Sequence, residues 1–399
     1  MRIGINLPLR GGDGLPLDAA GIARRARMVE EAGLDGIWMQ DSLIPGYMRP
    51  DPLMWLLTAC AATTELEVGT SILIVPVRNP VDLAQRFLTL EALTHGRFTF
   101  GVGSGSTRAS HESAGVPFED RFRLLYRHMD TIRRLCQGEA VGPAHLDPWP
   151  SVRGKPRFVL GAWHSELSLR RAVDEYDGWM CSAGRTNYTI MAQAIERYRR
   201  LGGRRALVST CPVDLSAPTE PLLDDDQFHL RCAPDEAARR LQRLADLGFD
   251  DVLLVMADHT GRTAMFDMDY DLEMLRRIRA LLPRDGRKAW QEEARPAAAG
   301  GTSVPRASRA AGPAGPDRPD RLVTRTRKEG GRVVAVGGDW GERTAPVAVI
   351  DIQNAQHAYY VMVDGERRDV TVVRGEDRRH LRTNPDLAGP DVLESLPDL

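Results

Sequence analysis

At 399 residues, 42% hydrophobic and 27% charged, the chain is long enough for one large domain plus something smaller, and it can bury a generous core. A net charge of −2 with no basic block interleaved with aromatics excludes a nucleic-acid partner, and no apolar run reaches the roughly 18 residues of a membrane span. Met1–Arg10 lacks the apolar region of a signal peptide, and Cys60, Cys136, Cys181, Cys211 and Cys232 show no CxxC spacing, so the expectation is a reduced, cytoplasmic protein.

In chain order the pattern predicts a strand over Arg2–Leu7, an amphipathic helix over Asp18–Ala32 closed by Gly33, and a strand over Asp35–Met39. A helix over Pro52–Thr63 leads into the near-continuous apolar run Val68–Val75, which meets a Pro–Asn–Pro break. Helical spacing over Leu83–Leu93 and a β-rich run Arg97–Val102 complete a βαβ unit, because parallel strands buried on both faces lose polar alternation. Then come a helix over Phe122–Gln137, a strand over Arg157–Leu160, a helix over Glu166–Tyr176 and a strand over Gly178–Ser182. A helix over Tyr188–Leu201, a strand over Ala206–Val213, a helix over Pro234–Leu247, a strand over Asp251–Met256 and a helix over Asp271–Leu282 close the series.

Eight strands, each followed by a helix, fit an α/β fold of the (β/α)8 TIM-barrel type better than an open sheet. A repeat supports this: residues 30–37 (EEAGLDGI) match residues 245–252 (ADLGFDDV), each a helix end, a glycine, an apolar residue, an aspartate and a strand. The glycines of 101–105 (GVGSG) are one residue too tight for a dinucleotide fingerprint and sit in the fourth unit instead of the first. They ease a strand-to-helix turn and leave bare backbone past a strand's C-terminal end. No HExxH and no nucleophile elbow is present, and no metal site is expected.

Several segments carry a resemblance: RIGINLP at the start, EEAGLDGIWMQDSL, residues 62–106 (ATTELEVGTSILIVPVRNPVDLAQRFLTLEALTHGRFTFGVGSGS), GVPFEDRFRLL, PRFVLGA and AVDEYDGWM. Over residues 1–285 or so the chain resembles the bacterial-luciferase-like family of flavin- and F420-dependent oxidoreductases, above all its actinobacterial-type members. The resemblance implies a barrel holding FMN or coenzyme F420 at its C-terminal mouth, a small-molecule substrate, a separate reductase supplying reduced cofactor, and a homodimer. It implies a cis peptide between Ser71 and Ile72 backing the cofactor ring, and cofactor contacts from Gly103, Ser104, Gly105 and Ser106 after the fourth strand. Gly161, Ala162 and Trp163 after the fifth strand match a phosphate-binding turn, with Ala162 and Trp163 as departures from its paired glycines; Gly184 and Arg185 follow the sixth strand, read either as a cationic clamp or as a lone surface arginine. Many relatives carry an Asp-His pair after strand two where this chain has Asp41 and Ser42. Serine is no proton carrier near pH 7 unaided, so Asp41 is expected to orient the loop, and His111 is the nearest candidate to replace the imidazole. Trp38 and Trp179 read as core.

The chain thus divides into a barrel (1–283), a Pro-, Gly- and Ala-rich flexible linker (284–320) and a small β-rich domain (321–399). In the last, strands are expected over Val333–Val336, Val347–Ile352, Tyr359–Val363 and Val370–Val373, with an Asp364–Gly365 turn joining the last two. The Tyr359–Val361, Leu381–Thr383 and Leu396–Pro397 segments resemble an uncharacterised domain family. The functional expectation is a flavin-dependent monooxygenase using reduced FMN and oxygen. The alternatives are an F420-dependent reductase or dehydrogenase and a non-catalytic flavin-binding protein.

Overall fold

The computed structural model describes residues 1–46, 48–257, 269–283, 320–329, 332–353, 358–374, 379–383 and 391–398. Contacts divide the chain into one unit of Met1–Gly184, Met191–Pro221 and Phe228–Glu292, and a second of Arg185–Ile190, Leu222–Gln227 and Glu293–Leu399. The assignment of the 185–190 and 222–227 segments was not anticipated from sequence. The expected linker, apart from Asp320, lies outside the described residues.

The first unit contains a closed parallel barrel. Its strands are β1 (Arg2–Asn6), β2 (Gly36–Met39), β3 (Glu67–Thr70) with the short β4 (Leu73–Ile74), β5 (Phe98–Gly103), β6 (Arg157–Gly161), β7 (Gly178–Ser182), β8 (Arg205–Asp214) and β10 (Asp251–Met256). The two-residue β9 (Leu230–Arg231) pairs in parallel beside the end of β8, and β10 pairs with both β1 and β8, which closes the ring. The helices between strands are α1 (Ala19–Glu31), α2 (Pro52–Ala61), α3 (Pro80–Thr94), α4 (Arg108–Glu112), α5 (Arg121–Cys136), α6 (Glu166–Glu175), α7 (Tyr188–Arg200), α8 (Pro234–Asp246) and α9 (Leu272–Arg279). All eight expected strands are present within a residue or two. The Pro–Asn–Pro break is itself a helix start: Asn79 caps α3 through Val81 N–H at 2.8 Å, and Pro80 occupies a first-turn position that has no hydrogen bond to lose.

The repeated helix–glycine–aspartate–strand motif has a clear mechanical role. Gly33 and Gly248 end their helices with φ of +78° and +99°. The following aspartate then bonds the neighbouring strand twice. Asp35 N–H donates to Ile3 O at 2.9 Å, and its Oδ2 accepts from Ile3 N–H at 2.8 Å. Asp250 does the same to Ala206, at 2.9 and 2.7 Å, and Asp177 to Phe158, at 2.8 Å both ways. Each reciprocal pair fixes one strand's register against the next at the N-terminal end of the barrel.

The second unit's C-terminal part holds β11 (Asp320–Leu322), β12 (Arg325–Glu329), β13 (Arg332–Gly338), β14 (Gly341–Thr344), α10 (Ala345–Gln353), β15 (Ala358–Val363), β16 (Glu366–Asp369), β17 (Thr371–Arg374), β18 (Arg379–Arg382) and α11 (Val392–Ser395). They form sheets β11–β15–β16, β12–β13–β14 and β17–β18 over a core that includes Val336, Tyr359, Val361 and Leu393. Two expectations fail here. Val347–Ile352 is helix α10, not a strand: Ala348 and Val349 are buried and Ile352 packs beside them, a helical i, i+1, i+4 face that overrides β-branched propensity. The Asp364–Gly365 turn, with both φ positive, joins β15 to β16, and Thr371–Arg374 instead pairs with β18.

Asp177→Ala is expected to cost about 1–2 kcal/mol in urea unfolding, because it strands the buried Phe158 N–H, while Asp177→Asn retains most of the stability. Equal stability of the two variants would show that the carboxylate bond carries no weight.

Candidate active site

Side-chain alternation sorts the barrel interior into three levels. Residues paired across neighbouring parallel strands face the same way, and the register therefore places Arg2, Glu67, Thr99, Arg157, Arg205 and Asp251 inward at the N-terminal end. One step up, Trp38, Val159, Met180, Leu207 and Leu253 form a single apolar cluster against Ile72. A further step towards the strands' C-terminal ends brings Asn6, Gln40, Ser71, Gly103, Gly161, Ser182 and Ser209, a ring of small or uncharged polar groups around the mouth. Among these described positions nothing titrates near neutral pH.

The Ser71–Ile72 peptide is cis, as the resemblance implies. Ser71 N–H donates to Met39 O at 2.8 Å, and Asp41 N–H to Ile72 O at 3.1 Å, so the segment is tied to β2 and the loop after it. Ile72 then explains two glycines. A Cβ on Gly161 would lie 2.4 Å from Ile72 Cγ2, and one on Gly103 3.0 Å from its side chain. These glycines admit Ile72; they were expected to admit a ligand.

Asp41 is engaged on both oxygens. It accepts from Ile74 N–H at 2.9 Å and from the two terminal nitrogens of Arg78 at 2.5 and 3.0 Å, and its carboxylate is 2% exposed. It therefore couples the loop after β2 to the turn after β4, the orienting role expected of it. Ser42, half-buried, makes no hydrogen bond among the described residues. His111 is fully buried, with Nε2 2.9 Å from Ser104 O and Nδ1 3.1 Å from Thr107 O, and its ring lies edge-on to Phe118. Both of its ring nitrogens are thus engaged on backbone carbonyls.

The other candidates separate. Ser104 and Gly105 are half-buried, Ser106 is exposed, and Gly105 has φ +74°. Ala162 N–H donates to Met180 O at 3.1 Å and Ala162 O accepts from Trp179 Nε1 at 3.0 Å, so both backbone groups of Ala162 are engaged within the barrel. Trp163 is half-buried, and Ser165 caps α6 two residues later through Ser168 N–H at 3.3 Å. Gly184 packs against Thr210. Arg185, just after it, has no hydrogen-bond or ion-pair partner among the described residues, and burial lowers its guanidinium pKa from the ordinary value.

Sequence reasoning missed three features. Arg78 was quoted within the third-strand motif but not singled out. Gln40 Nε2 donates to Thr210 Oγ1 at 2.8 Å, and since β1 and β10 lie between β2 and β8 this bond crosses the barrel interior. Thr210 reaches it from a bulge: the β8–β10 register slips by one residue there, and Thr210 has φ +52°. Asn6 Oδ1 and Ser71 Oγ, in residues each 6% exposed, are buried without a hydrogen-bond partner. Period-two counting along β1, β2 and β3 would have found Asn6 and Gln40 beside Ser71.

Comparison with known proteins adds the following. The luciferase-like monooxygenase family matches residues 1–228. An F420-dependent glucose-6-phosphate dehydrogenase of Amycolatopsis mediterranei is 34% identical over 185 residues, 43% of this chain and 54% of that protein. The chain thus spans about half the length of this curated relative. Among solved structures, a monooxygenase from Streptomyces bottropensis aligns with a TM-score of 0.55 at 16% identity, over 70% of this chain and 97% of that one. The oxygenating constituent of 3,6-diketocamphane monooxygenase from Pseudomonas putida, in complex with FMN, aligns with a TM-score of 0.52 at 14% identity, over 70% and 96%. At these identities the structures attest the fold.

An Asp41→Ala/Arg78→Ala double-mutant cycle should return a coupling of about 1–3 kcal/mol in urea unfolding. A coupling near zero would mean the two loops are held by something else.

Proposed function

This chain belongs to the luciferase-like monooxygenase family, and from that premise we propose that it is an oxidoreductase whose mouth holds reduced FMN and oxidises a small organic substrate with oxygen. The observation that carries the reading is the pair of buried, unpartnered polar atoms at the mouth, Asn6 Oδ1 and Ser71 Oγ, in a ring of uncharged side chains. Asp41 is neutralised by Arg78, and both nitrogens of His111 lie on carbonyl oxygens. The redox chemistry then belongs to the cofactor, and the chain's part is to bind, orient and exclude water.

The orphaned atoms fit such a group. Asn6 Oδ1 and Ser71 Oγ are buried polar atoms with no protein partner, and leaving them so costs about 1–3 kcal/mol each. A planar heteroaromatic ring edged with N–H donors and carbonyl acceptors satisfies both. The bound ring supplies the reducing equivalents; Asn6 and Ser71 would meet its polar edge, while Ile72 and the apolar level of Trp38 and Met180 lie beneath.

A second reading, hydride transfer with F420, is favoured by the 34% identity to an F420-dependent dehydrogenase. Hydride transfer in either direction also moves a proton, off the hydroxyl of an alcohol or onto the reduced acceptor. We infer a small-molecule substrate for either reading.

Fluorescence titration should show FMN binding, with oxygen uptake by the reduced complex and substrate oxidation in step. Ser71→Ala and Asn6→Leu should each weaken binding roughly tenfold, the loss of one hydrogen bond of about 1.4 kcal/mol. Tight F420 binding with hydride exchange and no FMN binding would replace the first reading by the second. Binding without turnover of either reduced cofactor would leave a carrier and overturn both.

A further inference from the structure

Two bulges in the barrel wall, one in the β3–β4 segment and one in β8, are joined by the side-chain hydrogen bond from Gln40 to Thr210. We propose that Gln40 and Thr210 are positioning residues: their bond locates Ser71 at the mouth from the opposite wall of the barrel. What Ser71 then binds rests on the functional reading above; the tie itself rests on geometry.

The first bulge carries Ser71. Val68 and Gly69 of β3 pair with Phe98 and Thr99 of β5, whereas Leu73 and Ile74 of β4 pair with Val102 and Gly103. Thr70, Ser71 and Ile72 therefore stand opposite only Phe100 and Gly101, and the register slips by one. Thr70 stays with β5 through its hydroxyl, which donates to Gly101 O at 2.7 Å. Ser71 and Ile72 turn to β2 instead: Ser71 N–H donates to Met39 O at 2.8 Å, and Ile72 O accepts from Asp41 N–H at 3.1 Å. These two bonds bracket Gln40, so the Ser71–Ile72 segment follows the end of β2.

Asp41 does not fix where that end lies. Its carboxylate bonds Ile74 N–H and Arg78, which follow Ile72 in the same stretch of chain. It makes one body of the loop after β2 and the turn after β4. Gln40 fastens this body to the far wall, because its Nε2 donates to Thr210 Oγ1 at 2.8 Å across the interior.

The far end is shaped for the contact. Val252 pairs with Val208 and Leu254 with Cys211, so Ser209 and Thr210 together stand opposite Leu253. Strict alternation after the inward Ser209 would turn Thr210 out of the barrel. The bulge, with Thr210 at φ +52°, brings its hydroxyl to Gln40 instead. That left-handed conformation is rare for a β-branched residue and persists where the surroundings over-determine it. Gly184 packs on it from β7, where a Cβ would lie 3.3 Å from Thr210 O and 3.4 Å from its Cγ2. A glycine would suit this φ without strain; what threonine adds at the position is the hydroxyl that Gln40 holds.

The test uses the full chain and the variants Gln40→Met, Thr210→Val, Thr210→Ser and Thr210→Gly. In amide hydrogen exchange without ligand, Ser71 and Asp41 should lose roughly tenfold protection in Gln40→Met and Thr210→Val, and no more than about twofold in Thr210→Ser, which keeps the hydroxyl. The Arg2 and Val68 amides, bonded to Asp250 O and Arg97 O at the other end of the barrel, should be unchanged in all four. Thr210→Gly should lose the same protection as Thr210→Val while melting near the wild-type temperature. Wild-type protection of Ser71 in Gln40→Met and Thr210→Val, an equal loss at Arg2 and Val68, or a Thr210→Gly melting point that falls in step with the lost protection would overturn the proposal. FMN and F420 titrations read the consequence: Gln40→Met should weaken binding roughly fivefold in the wild-type background and less than about twofold on Ser71→Ala, because the two residues act in series. An equal effect in both backgrounds would mean that Gln40 does not act through Ser71, and the proposal would fall. A wild type that binds neither cofactor refutes the functional reading, and the exchange result then decides the tie by itself.

Discussion

A buried ionic plug at the N-terminal end sets the polarity of the barrel. Arg205 reaches Glu67 at 2.8 and 2.9 Å and Asp251 at 2.9 and 3.0 Å; Asp251 also takes Arg2 at 2.7 and 2.8 Å, and Thr99 donates to Glu67 at 2.6 Å. Burial alone would raise both carboxyl pKa values, but Arg205 and Arg2 more than offset it and hold Asp251 and Glu67 below the ordinary carboxylate range. Two carboxylates against Arg2 and Arg205, with Arg157 alongside, leave few lone pairs unsatisfied, the condition under which a buried pair repays its desolvation. The plug ties β1, β3, β5, β8 and β10 together at the strands' N-terminal ends.

That division of labour makes the mouth intelligible. Above the plug and the apolar level of Trp38, Val159, Met180, Leu207 and Leu253, the ring of Asn6, Gln40, Ser71, Ser182 and Ser209 is polar and uncharged. Charges near it are spent on loops: Asp41 and Arg78 on each other, at the turn that presents Ser71 and Ile72. The Gln40–Thr210 bond crosses the interior and is delivered by a bulge in β8.

In the C-terminal module the residues that suggested a domain family have structural work. Asp391 accepts from Thr383 N–H at 2.8 Å, Thr383 Oγ1 at 3.2 Å and Leu393 N–H at 3.0 Å, which caps α11 and binds it to β18. Leu381 is core, and Pro397 O accepts from Thr326 N–H at 2.9 Å. The Leu-Arg-Thr and Leu-Pro segments are thus joints of the module, and they mark its fold without naming an activity.

The sequence alone determined the eightfold strand–helix alternation, because buried parallel strands and amphipathic helices leave different apolar periods in the chain. It also carried the cis Ser71–Ile72 peptide, through resemblance, and the aspartate of the repeat, through spacing. Tertiary structure alone decided which of the marked residues meet. Gly103 and Gly161 turned out to make room for Ile72, a contact of the segment between β3 and β4 with β5 and β6 that no local pattern encodes. His111 faced inward onto two carbonyls, and Val347–Ile352 became helix because the module's sheets bury its Ala348–Val349 face. Local propensity acts over a few residues, whereas the partners of Ile72 and of the buried ion pairs come from strands dozens of positions away; the first is written in sequence period, the second only in the closed barrel.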